Sequence, residues 1–256
     1  MSRTVPSDAP AQLSHDTLLG GRLRYDQPVQ GFRAAIDPVL LAAAVPARQG
    51  DRVLELGSGA GAAALCLAKR VEGCTVTGVE QDADLVALAN ENASLNGLAG
   101  RVRFVVGDIV GDLAPLVGGD FDHTLANPPF LDADRADLRA EDDPRRRAAT
   151  IEGSASLTLW LDRLVGALRP KGRLTLIHRA DRLDTILAGL AGHAGDIGVL
   201  PLWPKAGRPA RRVVVTARRG VATPLRLLAG LTLHESDGAY TAAATAILRD
   251  GAPLDL

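Results

Sequence analysis

The tetrapeptide Asn127-Pro128-Pro129-Phe130, within the stretch LANPPFL, contains residues well suited to hold a flat polar group. Proline fixes φ near about −65° and restricts the residue before it, so two consecutive prolines stiffen a turn. A rigid turn can fix the Asn127 side-chain amide and the Pro128 carbonyl, which are both hydrogen-bond acceptors. Two acceptors aimed at one point fit a planar NH₂ group, and Phe130 offers a ring on which a flat substrate can stack.

A second candidate site lies in the sequence ELGSGAG, which follows a β-rich run and precedes the helical run AAALCLAKRV. Gly57, Gly59 and Gly61 permit positive φ and close approach of a ligand to the backbone. The first N–H groups of the following helix lack intrahelical partners. Taken alone, the motif also fits a tight strand-to-helix turn without a ligand.

Two acids stand at the ends of the next two predicted strands. Glu80 is the last residue of TVTGVE and lies about 20 residues after the glycines. A carboxylate at this position can accept hydrogen bonds from both hydroxyls of a ribose. Asp108 follows RVRFVVG, where a carboxylate can accept a hydrogen bond from the exocyclic amine of an adenine. Each acid alone also fits a helix cap or a solvated strand end. Together with the glycine turn they predict a nucleoside site.

The details of the glycine turn favour a cationic nucleoside over a dinucleotide. The spacing is GxGxG, not the GxGxxG of dinucleotide-binding folds, and no basic residue within the turn could meet a phosphate. Glu55, two residues before Gly57, is expected to add negative charge. A sulfonium with an amino-acid tail therefore fits better than a pyrophosphate.

Strands alternate with helices from Asp51 onward, which predicts a doubly wound, Rossmann-like α/β fold with a seven-stranded, mostly parallel sheet. The last two strands, GVLPLW and RRVVVTAR, lack an intervening helix and predict an antiparallel hairpin at one edge. FDHTLA is the fourth strand and ends at about Ala126. The Asn-Pro-Pro-Phe turn therefore leaves the same sheet edge as the glycine turn. This position favours a catalytic turn over the alternative, a proline turn with a buried Phe.

The predicted organisation is a disordered tail (1–17), an N-terminal extension of a hairpin and a helix (18–50), and a core with C-terminal strands and a closing helix (51–256). Asp37 is predicted to cap the helix of the extension, with Pro38 at its first position.

The composition excludes several classes of function. The 256 residues carry a net charge of −1, so any nucleic-acid partner must be met by a local patch. No apolar run reaches the roughly 18 residues of a membrane helix. Cys66 and Cys74 lack metal-ligand spacing, so neither a metal nor a disulfide is expected, and a reducing cytoplasm fits. Nothing in the sequence indicates an oligomeric state.

Local basic groups flank the predicted site. The charged stretch 131–150 is either a solvated loop or a lid over the substrate, and a second basic group surrounds the loop between the last two strands. Clustered arginines on a near-neutral protein fit an RNA-binding face, and equally a solvated surface. The candidate RNA contacts are Arg145, Arg146, Arg147, Arg208, Arg211 and Arg212.

With these motifs the chain resembles class I S-adenosylmethionine-dependent methyltransferases that carry an N-P-P-[FY] motif. The resemblance is strongest to the bacterial tRNA(Val) adenine-N6 methyltransferases. It rests on the N-terminal segment GGRLRYDQPVQGFRAAIDPVLLAAAVP and on the C-terminal segment SDGAYTAAATAILRDG. Arg146, Arg147 and Glu152 in RRRAATIEG look like an Arg-rich stretch of these relatives.

The resemblance implies a role for each motif residue. The three glycines of the turn would hold the methionine part, Glu80 the ribose and Asp108 the adenine, with Asp37 lying over the cofactor. Asn127 and Pro128 would hold the target amine.

The implied activity is methyl transfer to adenine N6 in RNA, above all tRNA. Two alternatives stay open: glutamine N5-methylation of a protein, and a nucleotide-binding module without methyl transfer, such as a dehydrogenase.

Overall fold

The central sheet forms from the short apolar runs that the sequence identifies as strands. The computed structural model describes residues 12–30, 33–129, 131–132, 151–152 and 155–256. A first hairpin consists of β1 (Leu13–Leu18) and β2 (Leu23–Pro28). The remaining elements are α1 (Asp37–Ala44), β3 (Arg52–Leu56), α2 (Ala62–Arg70), β4 (Thr75–Glu80), α3 (Ala83–Leu95), β5 (Val102–Val106), α4 (Ala114–Val117), β6 (Phe121–Ala126), β7 (Leu131–Asp132), β8 (Ile151–Glu152), α5 (Leu157–Ala167), β9 (Leu168–Arg179), α6 (Leu183–Leu190), β10 (Ala194–Lys205), β11 (Arg212–Arg219), β12 (Arg226–Leu227), β13 (Leu231–His234) and α7 (Ala242–Asp250).

The strand order across the sheet is β12-β10-β11-β9-β6-β3-β4-β5, with β13 also paired to β10. The five strands from β9 to β5 pair in parallel, and β11 runs antiparallel to both β9 and β10. The predicted doubly wound sheet and its antiparallel hairpin are confirmed. Two short strands, β12 and β13, extend the seven predicted strands beyond β10.

Helices cover both faces of the sheet because its strands are apolar on both sides. In β3, Val53 joins the core beneath α1, α2, α3 and α7, whereas Leu54 and Leu56 join the core beneath α4, α5 and α6. All three side chains are fully buried. Among the described residues, no helix is long and apolar enough to cross a membrane.

The N-terminal hairpin begins earlier than the sequence predicts. Strand β1 occupies Leu13–Leu18, so all but its last residue lies in the segment 1–17 that is predicted to be a tail. Its sequence, LSHDTL, lacks an apolar face, and polar contacts hold it in place. The Asp16 carboxylate accepts hydrogen bonds from Ser14, Gln27 and Arg33, each at 2.8 Å. The tail boundary at residue 17 is therefore wrong, because side-chain hydrogen bonds stabilise a strand that has no apolar pattern.

Asp37 does not cap its helix as predicted. Helix α1 begins at Asp37, and the preceding residue Ile36 has helical backbone angles. The Asp37 carboxylate instead accepts a hydrogen bond from Arg212 Nε at 3.1 Å. The cap prediction fails because a partner distant in sequence takes the carboxylate.

Asn92 of α3 and Asn96, which directly follows the helix, bind the backbone of β2 as a neighbouring strand would. Asn92 accepts from Asp26 N and donates to Asp26 O, both at 2.9 Å, while Asn96 makes the same pair of bonds with Arg24. The two side chains are one helical turn apart, which matches the alternation along a strand. Asn92 also donates to Ala60 O in the glycine turn at 3.1 Å. The hairpin and the glycine turn are thus fixed to one buried amide.

We expect Asn92→Ala to lower the free energy of unfolding by about 2–4 kcal/mol, because it leaves several buried backbone groups unpaired. Urea denaturation followed by circular dichroism measures this change. Asn96→Ala serves as the control, and its cost should be smaller because Asn96 is less buried and water can replace its bonds. Equal decreases in the two variants would contradict the role given to Asn92.

Candidate active site

The carboxyl ends of the parallel strands bring the predicted motifs to one edge of the sheet. Strand β6 pairs with β3 through Leu56↔Ala126 and with β9 through Ala126↔Leu176. The glycine turn and the Asn-Pro-Pro turn therefore leave adjacent strands side by side. Because β11 is antiparallel to β9, its first residue, Arg212, lies opposite Arg179 at this same edge.

The glycine turn is fixed by its backbone and by its neighbours. Gly57, Gly59 and Gly61 all have positive φ, at 68°, 52° and 91°. A Cβ on Gly57 would lie 2.6 Å from the Trp160 ring, and one on Gly61 would lie 2.6 Å from the Phe104 ring. Gly57 and Gly61 are therefore required by packing.

Gly59 differs from the other two glycines because it lines open space. A Cβ added at Gly59 would meet no heavy atom within 4 Å. Its N–H donates to Glu80 Oε2 at 3.0 Å, which holds the turn against the end of β4. The neighbouring Ser58 hydroxyl is buried and has no hydrogen-bond partner in the described part of the chain. This is a cradle whose open side a ligand could fill.

Glu80 and Asp108 lie at neighbouring strand ends, as predicted. Glu80 Oε1 accepts from the N–H groups of Gln81 and Asp82 at 2.8 and 3.1 Å. A carboxylate offers about four acceptor sites, so the three backbone bonds fix Glu80 and leave acceptor capacity for a ligand. Asp108 is exposed, and its Oδ1 accepts from Val110 N at 2.9 Å.

Glu55 does not supply the exposed negative charge that the sequence suggests. Its side chain is buried, and Oε2 accepts a hydrogen bond from Ala64 N at 2.9 Å inside helix α2. Burial raises the pKa of Glu55 to about 8, and the nearby Glu80 carboxylate adds to the rise. At neutral pH the group is therefore largely protonated. The expectation that Glu55 adds negative charge for a cationic ligand is therefore wrong, because burial keeps its carboxyl group neutral.

The Asn-Pro-Pro turn presents a buried acceptor. Asn127 Oδ1 is inaccessible to solvent and has no hydrogen-bond partner among the described residues. Such an atom costs roughly 1–3 kcal/mol when it stays unsatisfied, so it is a candidate contact for a ligand N–H. The Pro129 carbonyl accepts a hydrogen bond from His178 Nε2 at 3.3 Å. Phe130, the last residue of the motif, lies outside the described residues.

The sequence interpretation missed His178. None of the sequence motifs includes it, but His178 is fully buried at the end of β9, beside the Asn-Pro-Pro turn. Burial lowers its pKa to about 4, and the Arg182, Arg212 and Arg179 guanidiniums add to the decrease. The signal that could have identified it is its position at the end of the strand that follows the motif.

The basic groups divide between described and undescribed segments. Arg208 and Arg211 are exposed between β10 and β11, at the site edge of the sheet. Arg212 is half-buried and pairs with Asp37, which joins a predicted RNA contact to a predicted cofactor contact. Arg145, Arg146 and Arg147 lie outside the described residues, as does the side chain of Glu152. In the described part of the chain, no group of three or more His, Cys, Asp or Glu residues could hold a metal.

The ionisation of Glu55 makes stability depend on pH. The folded protein has a pKa of about 8 at this group against an ordinary 4.5, so it retains a proton in this window that the unfolded chain releases. The free energy of unfolding therefore carries a contribution from Glu55 that falls as pH rises through the window. We expect Glu55→Gln to remove this contribution in urea denaturation from about pH 5 to about pH 8. The exposed Glu72→Gln is the control and should keep the wild-type slope; a Glu55→Gln slope equal to wild type would contradict the assignment.

Comparison with known proteins relates this chain to methyltransferases. A family model described as "Methyltransferase small domain" matches residues 35–149. The chain is 30% identical over 226 residues to the tRNA1(Val) (adenine(37)-N6)-methyltransferase of Dickeya chrysanthemi, covering 86% of this chain and 87% of the relative. It is 36% identical over 104 residues to the release factor glutamine methyltransferase of Chlorobaculum tepidum, covering 40% of this chain and 35% of that relative.

The fold is similar to that of a solved protein, described as a predicted O-methyltransferase from Agrobacterium tumefaciens. The TM-score is 0.71 at 25% identity, with 86% of this chain and 99% of that chain covered. The family model, the sequence relatives and the solved structure agree with the resemblance that the sequence predicts. The chain belongs to the methyltransferase family that includes the tRNA1(Val) (adenine(37)-N6)-methyltransferases.

Proposed function

We propose that this protein transfers a methyl group from S-adenosylmethionine to the exocyclic N6 amine of an adenine in RNA, most specifically in tRNA. The observation that carries this proposal is the buried Asn127 Oδ1, which has no hydrogen-bond partner in the described part of the chain and lies beside the glycine turn. An exocyclic amine is the kind of group that such an acceptor would bind.

The residues at the edge fit the cofactor. Gly59 faces open space, so the backbone can approach a ligand closely. Gly57, Gly59 and Gly61 would hold the methionine part, Glu80 the ribose and Asp108 the adenine, with Asp37 nearby. Glu55 does not belong to this set because it is buried against α2. When bound, the cofactor supplies an electrophilic methyl group.

The protein's contribution to catalysis is to hold the amine. The lone pair of an adenine amine is delocalised into the ring, which makes it a poor nucleophile. Acceptors at Asn127 Oδ1 and the Pro128 carbonyl would favour the pyramidal amine that forms during attack, so they stabilise the transition state more than the ground state. Phe130 would stack on the flat base. Pro129 would keep the turn rigid. Orientation provides much of the rate. No strong base is required, because the nitrogen becomes acidic once it carries the methyl group and then releases its proton.

Two observations favour tRNA over the alternatives. The match to the tRNA1(Val) (adenine(37)-N6)-methyltransferase covers 86% of this chain, whereas the match to the release factor glutamine methyltransferase covers 40% of it. Arg208 and Arg211 are exposed at the same sheet edge as the Asn-Pro-Pro turn, where a polyanion could bind. A loop adenine can be splayed from its stack at modest cost. A tRNA substrate also fits a cytoplasmic location. The GxGxG spacing and the Asn-Pro-Pro turn argue against a dehydrogenase.

We also propose that the N-terminal extension and the core act together as one catalytic unit. Asp37 of the extension pairs with Arg212 of the core, and Asn92 of the core pairs with β2 of the extension. These interactions tie the extension to the core at two places, next to the glycine turn through Asn92 and at Arg212.

The proposed function is tested by incubating the purified protein with S-adenosylmethionine and tRNA from a strain that lacks the gene. We expect N6-methyladenosine in the digested tRNA. We further expect Asn127→Ala to bind S-adenosylmethionine with near-wild-type affinity in calorimetry and to lose most turnover, on the order of 100-fold, because an acceptor for the amine is gone.

Asn96→Ala is the matched control for this variant, since Asn96 directly follows α3 and its side chain forms hydrogen bonds with Arg24 of the hairpin and with Asn92. It should retain wild-type turnover per folded molecule. Near-wild-type turnover of Asn127→Ala would refute its role. Formation of methylglutamine in a protein, with the tRNA left unmodified, would favour the glutamine alternative. A protein that binds NAD and does not bind S-adenosylmethionine would reject methyl transfer.

The basic loop makes a separate prediction about RNA affinity. We expect the double variant Arg208→Ala/Arg211→Ala to weaken tRNA binding and to flatten its salt dependence by about 0.7–0.9 in log–log slope for each phosphate that is no longer neutralised. Titration at several salt concentrations measures both effects. The control is Arg48→Ala, an exposed arginine that precedes β3 at the opposite edge of the sheet. The same slope in wild type and double variant would exclude phosphate binding by this loop.

A further inference from the structure

The Asn-Pro-Pro turn leaves the sheet with few means of attachment. Strand β6 ends at Ala126, so the ladder of backbone hydrogen bonds to β3 and β9 ends there. Pro128 and Pro129 have no N–H groups, and neither can donate a hydrogen bond to a neighbouring strand. Backbone attachment at these two positions must therefore use their carbonyl oxygens.

His178 supplies a donor for this purpose. It is the penultimate residue of β9, the strand beside β6, and its side chain is fully buried. Its Nε2 lies 3.3 Å from the Pro129 carbonyl oxygen. Since a carbonyl only accepts hydrogen bonds, Nε2 carries the proton. The hydrogen bond joins the turn directly to the end of the adjacent parallel strand.

We propose that His178 is a positioning residue for methyl transfer: its Nε2–H fixes the Pro129 carbonyl and thereby holds the Asn127 and Pro128 acceptors in register with the target amine. This inference rests on the proposed function. The two prolines restrict φ at their own positions, but ψ of Pro129 is not fixed by its ring. A hydrogen bond to the Pro129 carbonyl restrains that remaining rotation.

The surroundings of His178 keep its imidazole neutral. Burial lowers the pKa to about 4, and the guanidiniums of Arg182, Arg212 and Arg179 oppose a further positive charge. Two of these arginines have acidic partners of their own, Asp37 for Arg212 and Asp181 for Arg179. A neutral ring with its proton on Nε2 is the form that donates to Pro129 without placing a charge in the buried region.

The test compares two substitutions at this position with a matched histidine elsewhere. His178→Leu removes the donor at a similar side-chain size, whereas His178→Gln keeps an amide N–H at about the same reach. His123→Leu is the control, because His123 is also buried but lies in β6, about 13 Å along the strand from the turn. Each variant is assayed for kcat and KM on tRNA, per folded molecule from its unfolding curve.

We expect His178→Leu to lower kcat by about 10- to 100-fold with KM for S-adenosylmethionine unchanged, because displacement by about 1 Å has effects of this size. His178→Gln should recover most of the rate, and His123→Leu should lose stability without losing kcat. An unchanged kcat in His178→Leu, or an equal decrease in His178→Gln, would overturn the proposal.

A second readout needs no substrate and separates this inference from the proposed function. The imidazole ¹⁵N spectrum of the wild-type protein should show a neutral ring at His178 with the proton on Nε2 at neutral pH. A proton on Nδ1 would overturn the inference whatever the enzyme methylates. A wild-type protein that forms no N6-methyladenosine would reject the proposed function, while the spectrum would still decide whether His178 donates to Pro129.

Discussion

The parallel pairing of β6 between β3 and β9 is the constraint on which the site depends. Its register places Ala126 opposite Leu56 on one side and Leu176 on the other. The turn after β6 therefore lies between the glycine turn after β3 and the histidine near the end of β9. A slip of one residue would exchange the two faces of the strand. Because β6 carries Leu125 into one core and Ala126 into the other, burial on both faces fixes this register.

Burial also decides which groups at this edge carry charge. Glu55 is an acid and His178 is a base, but both are buried. Desolvation therefore favours the neutral form of each side chain. Their effects on stability have opposite signs with pH: the contribution of His178 is lost as pH falls from 6.5 towards about 4, whereas that of Glu55 is lost as pH rises towards about 8. The charged groups at the predicted binding surface are therefore those nearer to solvent, such as Glu80, Asp108 and Arg208.

Sequence patterns predicted the strands, the glycine turn and the edge at which the motifs meet, because these depend on local apolar runs and on glycine and proline chemistry. They did not predict the Asp37–Arg212 pair, whose members are 175 residues apart. They assigned charge to Glu55 because the sequence gives its position but not its burial. They missed β1, which polar contacts of Asp16 stabilise, and His178, whose partner is a backbone carbonyl. In each case the missing information is the tertiary environment of a polar side chain, either its partner or its burial.

The strand order separates the two binding tasks. Strands β3, β4 and β5 carry the glycine turn, Glu80 and Asp108 on one side of β6, whereas β9, β11 and β10 carry His178 and the arginines on the other. Asn127, at the end of β6, stands between a half suited to a nucleoside and a half suited to a polyanion. Asp37 approaches the second half through Arg212, so the N-terminal helix reaches across this division. A sheet that reverses its strand order at β3 and β6 creates a cleft at that point, and here both halves of the proposed reaction meet at the Asn-Pro-Pro turn.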